Sequence, residues 1–120
     1  MSKVILKPAI IKAAGNKEKR IEEFFGLMNS GTSEVSIARM VSQEGWEEPG
    51  QCPGFNEYTL VIKGSLKVTT KTTEYLVDAG PAIMTEAGEW VKYSTPLAGG
   101  AEYIAVCLPA FSPGTVPRDE

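Results

Sequence analysis

The most regular pattern in the chain runs over 57–62, where Glu57, Thr59 and Val61 alternate with Tyr58, Leu60 and Ile62. A period of two belongs to a β-strand, and it places the Glu57 side chain on one face with Thr59 and Val61. Further runs rich in β-branched and aromatic residues lie at 34–41, 66–70, 73–77, 82–85, 90–93 and 101–108. Turn sequences separate them: Gly64, Asp78-Ala-Gly-Pro81, Glu86-Ala-Gly-Glu89 and Pro96-Leu-Ala-Gly-Gly100. Gly64 is expected to close one strand and open the next. Short strands with a turn signal every eight to twelve residues predict an all-β sandwich or barrel.

The ends of the chain carry weaker patterns. Apolar runs at 4–6 and 9–11 flank Pro8 and read as edge strands. Over 20–28, Ile21, Phe24, Phe25 and Met28 fit helical spacing, but Gly26 lies inside the run and no cap follows. Pairing with 34–41 across the polar stretch 29–33 would make it a strand with a bulge, and we favour that reading over a short helix. The tail 109–120 holds too much proline for a strand and is expected to run extended over the surface. The prediction is one domain: edge strands and turns over 1–33, a barrel core over 34–108 and the tail over 109–120.

Composition narrows the function classes. The chain has 120 residues, a single-domain length. A net charge of −3 with scattered Lys and Arg does not make a nucleic-acid surface. The N-terminal apolar run is too short for a signal peptide or a membrane span. Two cysteines, Cys52 and Cys107, do not form a secreted disulfide framework, so a reducing, cytoplasmic location is expected. Histidine is absent. Imidazole acid/base catalysis, Ser-His and Cys-His nucleophiles and His-ligated metals are therefore excluded within this chain.

From Gly45 to Leu108 the sequence resembles the cupin family of small jelly-roll barrels. The family's first motif carries a glycine, two histidines one residue apart, a glutamate three or four residues later and a glycine after six more. Glu57 and Gly64 keep that last spacing, and Pro53-Gly-Phe-Asn-Glu57 resembles the usual approach to the glutamate. In the second motif Gly80 and Gly88 match, with Glu86 where proline is expected. The resemblance implies a double-stranded β-helix. The histidine positions of the first motif fall on Gly50 and Cys52, or on Gln51 and Pro53 in the shorter register. That of the second motif falls on Val91, and the asparagine position on Thr95. Only the glutamate of the family's metal site survives, so the metal-dependent activities of cupins do not carry over residue by residue.

Glu57 is the leading candidate for a functional residue, since the resemblance implies that it points into the barrel. A carboxylate there is either satisfied locally or available to a ligand or a proton transfer. Tyr93 would share a face with Val91 and place a hydroxyl in an apolar wall. Gln51 offers a donor and an acceptor, and Cys52 a thiol. Arg39 shares a strand face with Ile37 and Val41, so it either reaches solvent or pairs with an acid, with Glu57 as the candidate partner. Trp46, Trp90 and Cys107 read as packing. The combined expectation is a small-molecule-binding barrel with Gln51, Cys52, Glu57, Tyr93 and Arg39 as ligand contacts and no cofactor. One alternative is an enzyme, either metal-free with Glu57 and Tyr93 as acid and base or holding a divalent metal through Glu57, Cys52 and Gln51; metal is disfavoured. The other is an interaction module, because cupins pair through their sheets and both faces of the strand at 58–62 are apolar enough to be covered in a homodimer.

Overall fold

The computed structural model describes residues 2–119. Nine strands follow in order: β1 (Ala9–Ile11), β2 (Lys19–Phe25), β3 (Ser36–Ser42), β4 (Trp46–Glu47), β5 (Asn56–Thr70), β6 (Glu74–Asp78), β7 (Ala82–Thr85), β8 (Val91–Thr95) and β9 (Ala101–Leu108). A single 3-10 turn, Pro113–Thr115, lies in the tail, and there is no α-helix among the described residues. Among the described residues no helix is long and apolar enough to cross a membrane.

All strand pairings are antiparallel, and the strands make two sheets that close into a jelly-roll barrel. One sheet runs β1-β2-β3-β9-β5-β7, the other β6-β5-β8-β4. β5 belongs to both. Its first half pairs with β9 and β7, its second half with β6 and β8. Gly64 therefore does not end a strand, as its place in the sequence pattern suggests. It is a corner inside a 15-residue strand, with φ +74° and a register shift between Val61 and Lys63. A positive φ costs glycine little, so the strand bends and crosses sheets without breaking.

β2 is a strand with a bulge: its register against β3 shifts between Glu23 and Phe25. The run at 4–6 forms no strand, and Val4 and Leu6 are exposed. The tail from Pro109 forms no named strand and is tied down at two points. Ala110 and Val116 are buried, and the backbone of 115–119 is hydrogen-bonded to the loop at 50–54 through Gly54 N to Thr115 O (2.7 Å), Cys52 N to Pro117 O (3.1 Å) and Asp119 N to Gly50 O (2.7 Å). Proline removes donors from the tail, but its carbonyls still accept, so it docks along a loop instead of joining a sheet.

The inner faces sort into rows across the sheet. Met40, Tyr103 and Val61 form one row at the filled end, where Trp46, Leu66, Val68, Val77 and Val91 complete the larger core. The next row is Glu23, Ala38, Ala105 and Thr59, and the next Ser36, Cys107, Glu57 and Thr85. At the far end Phe55, Cys107 and Val116 make a second cluster, with Phe111 edge-on to Phe55 at 6.2 Å. Small side chains in the two middle rows leave space between these clusters. That space is the cavity.

Candidate functional site

The cavity has a volume of about 310 Å³ and lies between the middle rows of the larger sheet, the loop at 48–51 and the tail. Its walls are mostly apolar: Ile21, Met40, Phe55, Ala105, Phe111 and Val116. Into them project Glu48, Gln51, Glu57 and Tyr93, with Lys12, Lys19 and Arg118 as cations on the lining.

Each polar group has a local reason for its position. Glu57 opens β5 on the inward face with Thr59 and Val61 and is 8% exposed. Tyr93 alternates inward with Val91 on β8, and its hydroxyl lies 3.0 Å from Thr85 Oγ1. Glu48 stands two residues after the buried Trp46, so strand alternation carries it inward, and its amide donates to Tyr93 O (3.3 Å). Gln51 is tied to Val91 by reciprocal backbone hydrogen bonds of 2.9 and 2.8 Å. Glu48 and Gln51 are each 5% exposed, and no described protein group donates to Glu48 Oε2 or Gln51 Oε1. Buried acceptors without donors are rare in folded proteins and costly to keep.

Charge is distributed unevenly around the cluster. Burial pushes the Glu57 carboxyl up to about 7, and the neighbouring Glu48 pushes it the same way; Lys19, the Tyr93 hydroxyl and Arg118 oppose them. Burial likewise raises Glu48 against the pull of Lys19 and Arg118. The Tyr93 hydroxyl is pushed well up by burial and then by Glu57, so it stays protonated at neutral pH. Burial also raises the Cys107 thiol, which makes it a poor nucleophile. Lys19 Nζ sits 4.0 Å from the Trp46 ring centroid and 5.3 Å from that of Tyr103, held by the ring faces. Glu23 also lines the cavity, but its Oε2 accepts from Met28 N (2.9 Å) and Asn29 N (3.2 Å), so it fixes the loop after β2.

Of the residues singled out in the sequence, the structure brings Gln51, Glu57 and Tyr93 together in the cavity. Cys52 is exposed and does not line it. Arg39 faces outward from β3, where Nη1 contacts Glu22 Oε1 (2.9 Å) and Nε contacts Glu102 Oε2 (3.0 Å); its partners are these two glutamates and not Glu57. Glu48, Lys19 and Arg118 are cavity residues that the sequence reading passes over. The Trp46-x-Glu48 alternation carried a signal for Glu48, but β4 is only two residues long and Pro49 cuts the alternation short.

The family's resident metal can be tested against these donors. The positions that would carry imidazoles hold Gly50 or Gln51, exposed Cys52 or Pro53, and buried aliphatic Val91. Among the described residues no group of three or more Cys, Asp or Glu side chains is placed to hold an ion. The donor set does not fit a three-imidazole centre.

Comparison with solved structures decides the architecture. The whole chain superposes on the polyketide cyclase RemF from Streptomyces resistomycificus with a TM-score of 0.77 and 16% identity, covering 86% of that protein. It also superposes on a predicted oxalate decarboxylase from Thermotoga maritima (TM-score 0.71, 18% identity, 86% of this chain and 92% of that one). The chain has the cupin fold. A third cupin-fold neighbour, the EutQ protein of Clostridium difficile, gives a TM-score of 0.62 and 22% identity over 77% of this chain and 63% of that one. No family model matches the sequence. A curated relative, the endoribonuclease YbeY of Myxococcus xanthus, is 38% identical over 95 residues, which are 79% of this cupin-fold chain. The match spans 32% of that relative's length.

Proposed function

We propose that this cupin-fold protein binds a small organic molecule in its barrel cavity, without a histidine-based metal centre. The observation that carries the reading is the pair of buried acceptors, Glu48 Oε2 and Gln51 Oε1, facing an apolar-walled cavity with no protein donor. A ligand that supplies donors would offset the cost of keeping them there. Cys52 and Cys107 are both free, which supports a reducing, cytoplasmic setting. The test is a thermal-shift screen of small acids, sugars, amines and phenols, with metal analysis of the same preparation. Stabilisation by members of one class, without near-equimolar divalent metal, is the expected result, since a ligand at 100 times its Kd adds about 2.7 kcal/mol. A screen without any stabilising compound opposes the reading, and near-equimolar metal would move it to a metal enzyme.

Two further readings have an observation each. A carboxyl near 7 beside a protonated tyrosine is suited to proton transfer at neutral pH, which favours Glu57 and Tyr93 as an acid/base pair acting on the bound molecule. Outside the barrel, Tyr58, Leu60, Ile62 and Met84 are exposed on one sheet face, with Tyr58 directly opposite Met84. That apolar face supports a homodimer.

A further inference from the structure

The cavity's chemistry narrows the ligand class, an inference that rests on the binding reading above. We infer that the cavity takes a compact, neutral hydroxylated ring, of the phenol class, whose hydroxyls donate to Glu48 and Gln51 while its ring packs against Phe55, Phe111 and Val116.

Four observations lead there by exclusion. The unpartnered atoms are a carboxyl oxygen of Glu48 and the amide oxygen of Gln51, both buried; the amide oxygen can only accept and the carboxyl can accept or, when protonated, donate, so a hydroxyl, which does both, satisfies either. A cationic amine would donate too, but it would enter a cavity already lined by Lys19 and Arg118. A simple carboxylate without hydroxyls would meet Glu48 and Glu57 and would bring no donor. A sugar has the donors and no charge, yet most of its hydroxyls would face Ile21, Met40, Phe55, Phe111 and Val116, which have nothing to exchange with them. A hydroxylated ring meets every condition. Its hydroxyls satisfy the acceptors, its oxygens accept from the cations or from Tyr93, and its faces suit the T-shaped Phe55–Phe111 pair. The volume, about 310 Å³, is at the small end for ligand cavities and limits the ligand to one or two rings.

The test is calorimetric titration of the full chain with four single-ring probes: resorcinol, its dimethyl ether, benzylamine and benzoate. Resorcinol should bind tightest, and the ether, which keeps the ring but cannot donate, at least about tenfold more weakly. Glu48→Gln should weaken resorcinol by about tenfold or more and leave the ether within about twofold, because the ether has no hydroxyl to bond to Glu48. Gln51→Met should act in the same sense but less. The probe series on the wild type needs no variant to fold, and the unliganded melting temperature of Glu48→Gln checks that variant. Equal binding of resorcinol and its ether, tighter binding of benzylamine or benzoate, resorcinol binding unmoved by Glu48→Gln, or no binding by any probe would each overturn the inference. If another class binds, the cavity remains a ligand site. If the broad screen is blank as well, the binding reading falls with it.

Discussion

Glu57→Gln is expected to flatten the pH dependence of stability between pH 4.5 and 8. In the folded protein Glu57 titrates at about 7, against about 4.3 for a free glutamate. The native state thus holds this proton more tightly than the unfolded chain. The favourable contribution is fully present below the unfolded value and is lost as pH rises through the folded one. A displacement of this size corresponds to on the order of 3 kcal/mol across the window. Glutamine keeps the shape without the ionisation, so Glu57→Gln should equal the wild type near pH 4.5 and exceed it at pH 8. Glu48 is displaced in the same direction and leaves a residual slope in the variant. Glu22 works the opposite way: hydrogen bonds from Arg20 and Arg39 lower it, so its contribution is lost as pH falls. The difference between wild type and Glu57→Gln isolates Glu57 from both. Urea unfolding at a series of pH values makes the comparison, and a variant less stable than wild type by more than about 2 kcal/mol at pH 7.5 would mean that Glu57 is a paired structural charge.

The second large effect belongs to the corner of β5. Gly64 has φ +74°, and a Cβ there would collide with the Gly100 carbonyl of the neighbouring chain segment. Gly64→Ala should cost about 3 kcal/mol or more, from the left-handed backbone and the backbone clash together. Gly80→Ala is the matched control: its φ is +108°, yet a Cβ would meet nothing within 4 Å. It should cost only the conformational part. Equal losses at the two positions in denaturant unfolding would contradict the role of Gly64 as a crossing point between the sheets.

The same corner shows why part of the fold was legible in the sequence and part was not. Alternation at 57–62 fixed which face Glu57 takes, because a half-buried strand sorts its side chains by solvent. Gly26 within an apolar run argued against a helix over 20–28, but the bulge itself lies earlier, between Glu23 and Phe25, and Gly26 falls just past the end of β2. That Gly64 continues a strand was hidden, since a bend and a reversal use the same residue. Arg39 was ambiguous for a related reason: a strand position tells the face, but its ion partners Glu22 and Glu102 come from neighbouring strands. Tail residues Phe111, Val116 and Arg118 reach the cavity through backbone hydrogen bonds, in which the Ala110, Phe111 and Asp119 amides donate and the Thr115 and Pro117 carbonyls accept. Backbone amides and carbonyls are common to nearly every residue, so no local composition marks that docking.

The central claim is that the barrel cavity is the ligand site, and Ala105 tests it directly. Ala105 lies buried on the inner face of β9, in the row whose small side chains open the cavity. Amide chemical-shift mapping of resorcinol, or of whichever compound stabilises the protein most, should be run on the wild type and on Ala105→Leu, which fills the space. Shifts concentrated at Gln51, Phe55, Glu57 and Ala105 in the wild type, and abolished in a folded Ala105→Leu, are the predicted result. Shifts on the outer face at Tyr58, Leu60 and Met84, or a pattern unchanged by Ala105→Leu, would contradict it.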